Sequence, residues 1–533
     1  MQNLTVQKLC IGLVVLAFFV LAPWMTSELL GGNTLPLISL LAVGCLLVFL
    51  FVLKDRCWMV IPFCLPIEGK FNFLPLNFSM QETAVVAVFS YIVIQIVMGR
   101  QIQWKLGPAL IWLPLSGLLA VFLYHWISSG DIGIRALGGT GWGGRKYFTI
   151  AMAVLSMPIL FSFSGASYRD FQKIPFLYFA GVFMDLIPDT FTTFLPATAP
   201  YIFRFYSSVN VAEYGKGLAG NFGGEEGITR FHAFGRLGAA WGLMMLSYFP
   251  VQKWLSPSRL WVVPSLLLGF VLTAISGFRS FIFNFIIVLT SGLYATARMK
   301  AVLLLPLALV GALLIAGTQG TVFNYPAGIQ RALSFLPGAW NQRATHEAKS
   351  SNEWRQRIRE LFFAEYFPKH PFLGDGYEFD PNLAKRQQEL FLRIAALAER
   401  DEYADVRGFI EMKQPHEGDI CALLVVGIVG TAFFVAFCAS LVIYAIKTIL
   451  SLPPNQVQPI QIWAFALLLQ NSLSFFIVFG DLAPVLFQLC PIGAILVASE
   501  RLRARGALAA EPVPPMPHAF TGTSLPQPVA NRL

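Results

Sequence analysis

Residues 420–446, ICALLVVGIVGTAFFVAFCASLVIYAI, run without a single charged side chain. About 20 apolar residues suffice to carry an α-helix across the ~30 Å hydrocarbon layer of a bilayer, so this stretch reads as a transmembrane helix. It is bounded by Pro415-His416-Glu417-Gly418-Asp419 on one side and by Lys447 on the other. Working outward, similar runs occur at Leu9–Met25, Leu35–Leu53, Thr83–Met98, Pro108–Ile127, Tyr147–Phe163 and Phe171–Ile187. Others follow at Leu237–Phe249, Trp261–Ile275, Phe281–Tyr294, Ala301–Ala316, Pro459–Phe479 and Ala483–Ala498. The stretch from Leu9 has no convincing small-residue cleavage site and leads straight into further apolar sequence, so it reads as a retained first helix.

Composition agrees. The 533 residues are 56% hydrophobic and 13% charged, with mean hydropathy +0.64, which leaves too little polar surface for an ordinary soluble globule. The net charge of +9 fits the excess of Lys and Arg that orients membrane proteins better than it fits nucleic-acid binding. All seven cysteines lie in or beside apolar segments, so neither a disulfide framework nor a zinc site is indicated.

Loop charge sets the topology. A proline-interrupted segment from Cys57 toward Leu76 is a weak candidate for a further crossing. If it crosses, Lys54/Arg56, Arg100/Lys105, Arg169/Lys173, Lys253/Arg259, Arg298/Lys300, Lys447 and Arg501/Arg503/Arg505 all fall on one side, the cytoplasmic one. The expectation is an all-α polytopic membrane protein of about fourteen helices (twelve to fourteen), with both termini cytoplasmic. Residues 1–317 form an N-terminal transmembrane bundle with outer loops 126–146 and 188–236. Residues 318–417 form a large helical outer loop, with helix-like stretches at Asn352–Phe367 and Asn382–Met412. Residues 418–500 supply three further spans, and the Pro-rich tail 501–533 is expected to be disordered.

The chemistry then concentrates at the outer boundary. Arg279, in Ser276-Gly277-Phe278-Arg279-Ser280, sits between two closely linked spans, where an arginine is costly without an anionic partner. His416 opens the span after the large loop and is able to move a proton at neutral pH, with Glu417 and Asp419 as supporting carboxylates. Arg145, Arg230 and Arg236 arrive at the same boundary from other spans, and such guanidiniums suit a diphosphate. Each also has an ordinary reading as a helix-end charge. No nucleotide-phosphate loop or metal motif is present; Asp375, Glu378 and Asp380 form the nearest carboxylate cluster able to bind a divalent ion, although the glycines there suit a turn.

In order along the chain, Ser276-Gly277-Phe278-Arg279-Ser280, then Phe367-Pro368-Lys369-His370-Pro371-Phe372-Leu373-Gly374-Asp375-Gly376-Tyr377, then His416 followed by Gly427-Ile428-Val429-Gly430, resemble motifs of the O-antigen ligases and of the related O-antigen and exopolysaccharide polymerases of bacteria. The resemblance covers roughly residues 230–480. Phe278 and Glu417 depart from the family's usual Ser and Asn. What the resemblance implies is a GT-C-type membrane glycosyltransferase of the bacterial inner membrane. Its donor would be a polyprenyl-diphosphate-linked glycan, its acceptor a glycan, lipid or protein, with inversion at the anomeric carbon and without cofactor or obligatory metal. A polymerase of the same superfamily, and from another class a lipid-linked glycan flippase or secondary transporter, stand as alternatives.

Overall fold

The computed structural model describes residues 44–46, 48–72, 78–100, 102, 104–128, 144–162, 167–207, 231–254, 256–300, 305–377, 403–411, 413 and 415–509. Its main helices are α1 (Met80–Val97), α2 (Ala109–Ser128), α3 (Gly144–Ser162), α4 (Ile174–Phe194), α5 (His232–Tyr248) and α6 (Val262–Ile275). They continue with α7 (Arg279–Ala297), α8 (Leu305–Thr318), α9 (Gln342–Leu361), α10 (Gly418–Leu450), α11 (Pro459–Ile477) and α12 (Leu482–Ala509). Among the described residues eight helices, α1, α2, α4, α6, α7, α10, α11 and α12 with their flanking turns, are long and apolar enough to cross a membrane. The chain is an all-α, multi-pass membrane protein. A shared interior of buried apolar side chains, among them Trp463, Phe434, Phe437 and Phe487, joins them into one bundle around α11 and α12.

The bundle has two chemically distinct ends. At one, Arg100 bonds Asp55 (2.6 Å), Arg56 and Lys173 share Asp170 (3.3 and 3.2 Å), and Arg298 caps the carbonyls of Ile449 and Leu452. Arg501 reaches the carbonyl of Leu106 at the same end (2.6 Å). These are the cations that the loop-charge pattern collects on one side. At the other end a two-residue pair of strands, β1 (Lys70–Phe71) with β2 (Tyr206–Ser207), lies beside Ser79.

The weak segment after Cys57 connects these ends. Asp55 meets Arg100 just beyond the C-terminus of α1, and Lys70 bridges Ser79 at its N-terminus, so residues 55–70 run antiparallel along the whole of α1. That length is ~27 Å for an 18-residue helix. A tight 3₁₀ turn (Lys54–Met59), a short helix (Val60–Cys64) and extended chain to β1 cover it, because 3₁₀ and extended backbone rise more per residue than an α-helix.

Several boundaries differ from expectation. The run Leu9–Met25 lies outside the described residues, as does most of Leu35–Leu53, of which 44–46 and 48–53 are helical. Helix α4 continues through Pro188 to Phe194 where a loop is expected, its Thr190 and Thr192 hydroxyls donating back to the carbonyls of Leu186 and Asp189. Helix α12 extends to Ala509, so the tail begins later than residue 501. In the large loop α9 starts at Gln342, well before Asn352, because the Asn341 side chain accepts from the Arg343 amide and caps it. Of the expected helix Asn382–Met412, Ala404–Glu411 is helical, and residues 382–402 and 412 lie outside the described residues.

The long apolar run itself is broken. Gly427 in α10 takes φ 62°, ψ −168°, a conformation that only glycine adopts without strain. The break exposes backbone groups that a bilayer cannot satisfy, and the loop segment after His370 satisfies them. Asp375 and Gly376 amides donate to the carbonyls of Leu424 and Val425 (2.8 and 2.9 Å), while Ile428 and Val429 amides donate to Pro371 and Phe372 (2.9 and 3.0 Å). His125 on α2 bonds the Leu373 carbonyl (2.7 Å), and the Tyr147 hydroxyl accepts from the Tyr377 amide (3.1 Å). Thus the His-Pro-x-x-Gly-x-Gly-like segment and the Gly-x-x-Gly-like segment, distant in sequence, are one structural unit.

A Cβ added at Gly427 would stand 2.4 Å from the Phe372 carbonyl and 2.5 Å from the Gly374 nitrogen, both backbone. Gly427→Ala is therefore expected to lower the thermal midpoint in detergent, with about 1–3 kcal/mol lost to backbone strain alone. Gly311→Ala, where the new Cβ meets nothing within 4 Å, should not lower it.

Candidate functional site

Arg279 is the first residue of α7, and the turn that presents it is tied down from three directions. Gly277 takes φ +77°, which turns the chain sharply between α6 and α7. The Ser276 carbonyl accepts from the Phe231 amide (3.0 Å) and its hydroxyl from the Phe278 amide (3.3 Å). Buried Arg331 donates to the Gly277 carbonyl (2.6 Å) and pairs with Glu347 (3.1 Å), which fastens the turn to the large loop. From this mount the Arg279 guanidinium donates to the Ala348 carbonyl and to Asn352 Oδ1, both at 3.1 Å. Among the described residues it has no carboxylate partner within 4.0 Å.

The two acceptors belong to one stripe of α9. Ala348, Asn352, Arg355 and Arg359 recur at helical spacing and so line one face. Arg359 donates to Glu417 (2.7 Å) and Asp419 (3.3 Å) at the start of α10. Seven residues separate Asn352 from Arg359, which places the Arg279 contact ~10 Å along the helix from the Glu417 contact. Between them stands Arg355. It is half-buried, makes no side-chain hydrogen bond or ion pair in the described structure, and its charge is felt at both Arg279 and Glu417.

His416 packs against α9 at Trp354, between the levels of Asn352 and Arg355. Its backbone is left-handed (φ 59°), uncommon for a residue other than glycine, and its ring lies among Trp354 of α9 (5.8 Å), Phe409 (5.2 Å) and Phe479 (5.1 Å). Glu417 and Asp419, expected beside the imidazole, turn their carboxylates to Arg359 instead. Burial holds the Glu417 carboxyl above its ordinary pKa of 4.5, against the opposing pull of Arg359. Of the three guanidiniums along α9, Arg359 alone bonds the two carboxylates, and Arg279 and Arg355 have no ion pair among the described residues.

The other expected cations serve a different purpose. Arg145 is held by Glu82, itself fully buried as the capping residue of α1 and also bonded by Thr149 (2.6 Å); its guanidinium lies over the rings of Phe78 and Phe148. Arg236 is one turn inside α5, bonded to buried Asp185, to the Pro66 carbonyl and, at 3.5 Å, to Glu68, while Tyr206 donates to the second oxygen of Asp185. Both arginines, expected in a diphosphate cradle, are held in ion pairs with carboxylates inside the bundle. Arg230 lies outside the described residues. Lys146 is held by Asp481, which also accepts from the Tyr377 hydroxyl (3.2 Å) and so ties α3 to the segment on Gly427.

Asp375 ion-pairs with Lys413 (2.6 Å) and lies 3.9 Å from His370, whereas Glu378 and Asp380 fall outside the described residues. No group of three potential metal-binding side chains occurs among the described residues. Sequence reasoning missed Arg355. The available signal was its spacing from Asn352 and Arg359, within a stretch already recognised as helix-like.

No protein-family model matches this chain, and neither does any curated protein. Fold and site together define a multi-pass α-helical membrane protein that carries, at one end of its bundle, an aromatic-walled histidine and two arginines with no carboxylate partner among the described residues, all set against one loop helix.

Removing one partner of a buried ion pair leaves the other charge stranded, at a cost of about 3–5 kcal/mol. Arg145→Ala and Arg236→Ala are accordingly expected to lower the unfolding midpoint in detergent markedly, and Arg355→Ala to leave it nearly unchanged. Glu417 supplies a pH test. Its folded pKa is raised, so the stability gained by protonating it is complete below 4.5 and lost as pH rises through the raised value. The melting-temperature difference of wild type minus Glu417→Gln should fall across that window; an increase would contradict the assignment.

Proposed function

We propose that this chain is a glycosyltransferase of the bacterial cytoplasmic membrane, of the O-antigen ligase and polymerase kind, that moves a glycan from a polyprenyl diphosphate to an acceptor hydroxyl at the outer face. The observation that carries the reading is that Arg279 and Arg355, two half-buried guanidiniums near enough to feel each other's charge and without carboxylate partners among the described residues, lie along the same loop helix whose Trp354 packs against His416. A guanidinium at a membrane boundary is stable when it meets an anion, and a diphosphate offers the matching geometry. The charge-sorted ends of the bundle support about fourteen spans with both termini cytoplasmic, the segment Asp55–Lys70 being one of them; the site then faces outward, under the large loop.

In this reading the prenyl tail lies among the spans and the diphosphate bridges Arg279 and Arg355. As the bond between the anomeric carbon and the diphosphate oxygen breaks, negative charge grows on the leaving diphosphate and both arginines stabilise it. His416 takes the proton from the acceptor hydroxyl, whose oxygen attacks the anomeric carbon from the opposite face and inverts it. The proton leaves later to solvent, and free polyprenyl diphosphate is released. The rings of Trp354 and Phe479 hold the imidazole and offer apolar faces to a sugar. Arg359, by engaging Glu417 and Asp419, keeps those carboxylates from repelling the donor.

Purified protein in vesicles, given a polyprenyl-diphosphate oligosaccharide and candidate acceptors, is expected to release polyprenyl diphosphate and form a glycosylated product. Arg279→Ala, Arg355→Ala and His416→Ala should each reduce the rate at least ~100-fold, the usual scale for losing a transition-state charge partner or a proton acceptor. Their melting should stay near wild type. A single transferred unit would mark a ligase and a ladder of repeats a polymerase. Movement of the intact lipid-linked glycan across the bilayer without release of diphosphate would replace the enzyme by a transporter.

A further inference from the structure

The large loop touches the bundle through protein contacts, yet part of it presents an apolar face left exposed among the described residues. Phe372 is 68% exposed and Phe363 is 51% exposed, and the intervening Pro368, Lys369 and His370 are exposed too. Isolated exposed phenylalanines are ordinary on protein surfaces. These differ because of where the backbone fixes them.

The carbonyls of Pro371 and Phe372 accept from the amides of Ile428 and Val429, the first residues of α10 beyond its break at Gly427. From Ile428 to Lys447 the helix is about 20 residues long, ~30 Å, which equals the hydrocarbon thickness of a bilayer. Lys447 lies at the cation-rich end, so the break, and Phe372 with it, falls at the opposite edge of the hydrocarbon layer. There the exposed side chains of Ile428 (45%), Val429 (37%) and Phe433 (37%) continue the apolar surface of Phe372 onto the span itself. Upstream, a π-helical turn (Phe362–Tyr366) buries Phe362 against α10 while leaving Phe363 outside, its ring against Phe367 (5.5 Å). Lys369 lies over the Tyr366 ring (5.0 Å). Aromatic rings interleaved with a lysine are the composition of segments that sit among lipid headgroups.

We infer that residues 363–372 form an interfacial membrane anchor: Phe363 and Phe372 enter the acyl boundary of the leaflet at the His416 end, with Lys369 at headgroup level. The partner is the phospholipid bilayer, and the anchor holds the loop helix α9 at a fixed height over the bundle. This inference does not depend on the catalytic proposal.

The test uses the full chain with Cys10 and Cys45 replaced by serine, reconstituted in phosphatidylethanolamine and phosphatidylglycerol vesicles. Nitroxide labels are placed at Phe363→Cys, at Phe372→Cys and, as a solvent control, at Lys349→Cys on α9, whose side chain is 78% exposed. Collisions with oxygen, which concentrates in the acyl region, should exceed those with a water-soluble nickel chelate at 363 and 372, and the order should reverse at 349. Nickel excess at either 363 or 372 overturns the anchor. A benzophenone-bearing phenylalanine at 372 gives a second readout that leaves the ring largely intact. Phospholipid adducts are expected on illumination; crosslinks to a second copy of the chain without lipid adducts would assign the face to self-association and overturn the proposal.

Discussion

The constraint on which the rest of the structure depends is that a backbone amide or carbonyl inside a membrane must find a partner within the protein. Helix α10 violates helical geometry at Gly427 and would strand several such groups. Four hydrogen bonds from residues 371–376 repair the break, and those same bonds fix the position of the large loop. Tyr377, stacked on Phe122 and bonded to Asp481 and Tyr147, then locks the segment to α2, α3 and the start of α12. A local defect in one helix has become the joint of the whole end of the bundle.

Electrostatics at that end sorts its arginines into two kinds. Arg145 and Arg236 face buried carboxylates and serve as internal cross-links between spans. Arg279 meets a carbonyl and an amide oxygen, and neither it nor Arg355 has a carboxylate partner among the described residues. Cost decides the distinction: a guanidinium beside the membrane that has no internal anion stays bound to its site only if solvent, lipid or ligand supplies one. Helix α9 enforces this by offering Arg279 two neutral acceptors and by using Arg359 to occupy the nearby acids.

Much of the architecture was legible in the sequence because hydrocarbon thickness sets a length and loop charge sets a side, and both are local properties. The segment after Cys57, which loop charge marks as a candidate crossing, does run the length of α1, since Asp55 and Lys70 lie at its opposite ends. Boundaries were less legible where local breakers lost to context: Pro188 is carried inside α4, and α12 runs past Arg505. Arg279 and His416 stood out by position at span ends, and both contact α9, at Ala348 and Asn352 and at Trp354 respectively. Arg145 and Arg236 looked equivalent to Arg279 in sequence, because their neutralising partners Glu82 and Asp185 lie far away in the chain. Arg355 was hidden for the converse reason: a cation in a polar loop stands out only once the acids around it are seen to be engaged elsewhere.

The loop helix α9 also bears on how such chains are able to diverge. A segment of this length between two spans invites treatment as an exchangeable module. Its own sequence, however, supplies the acceptors for Arg279, the partner of Glu417 and the backbone bonds that mend α10. A loop of unrelated sequence would arrive without the acceptors for Arg279 or the partner of Glu417, and with a plug cut for another gap. A change in α9 or in residues 371–376 therefore has to be matched in α7 and α10 if this joint is to hold, so the loop and the spans it mends are bound to vary together.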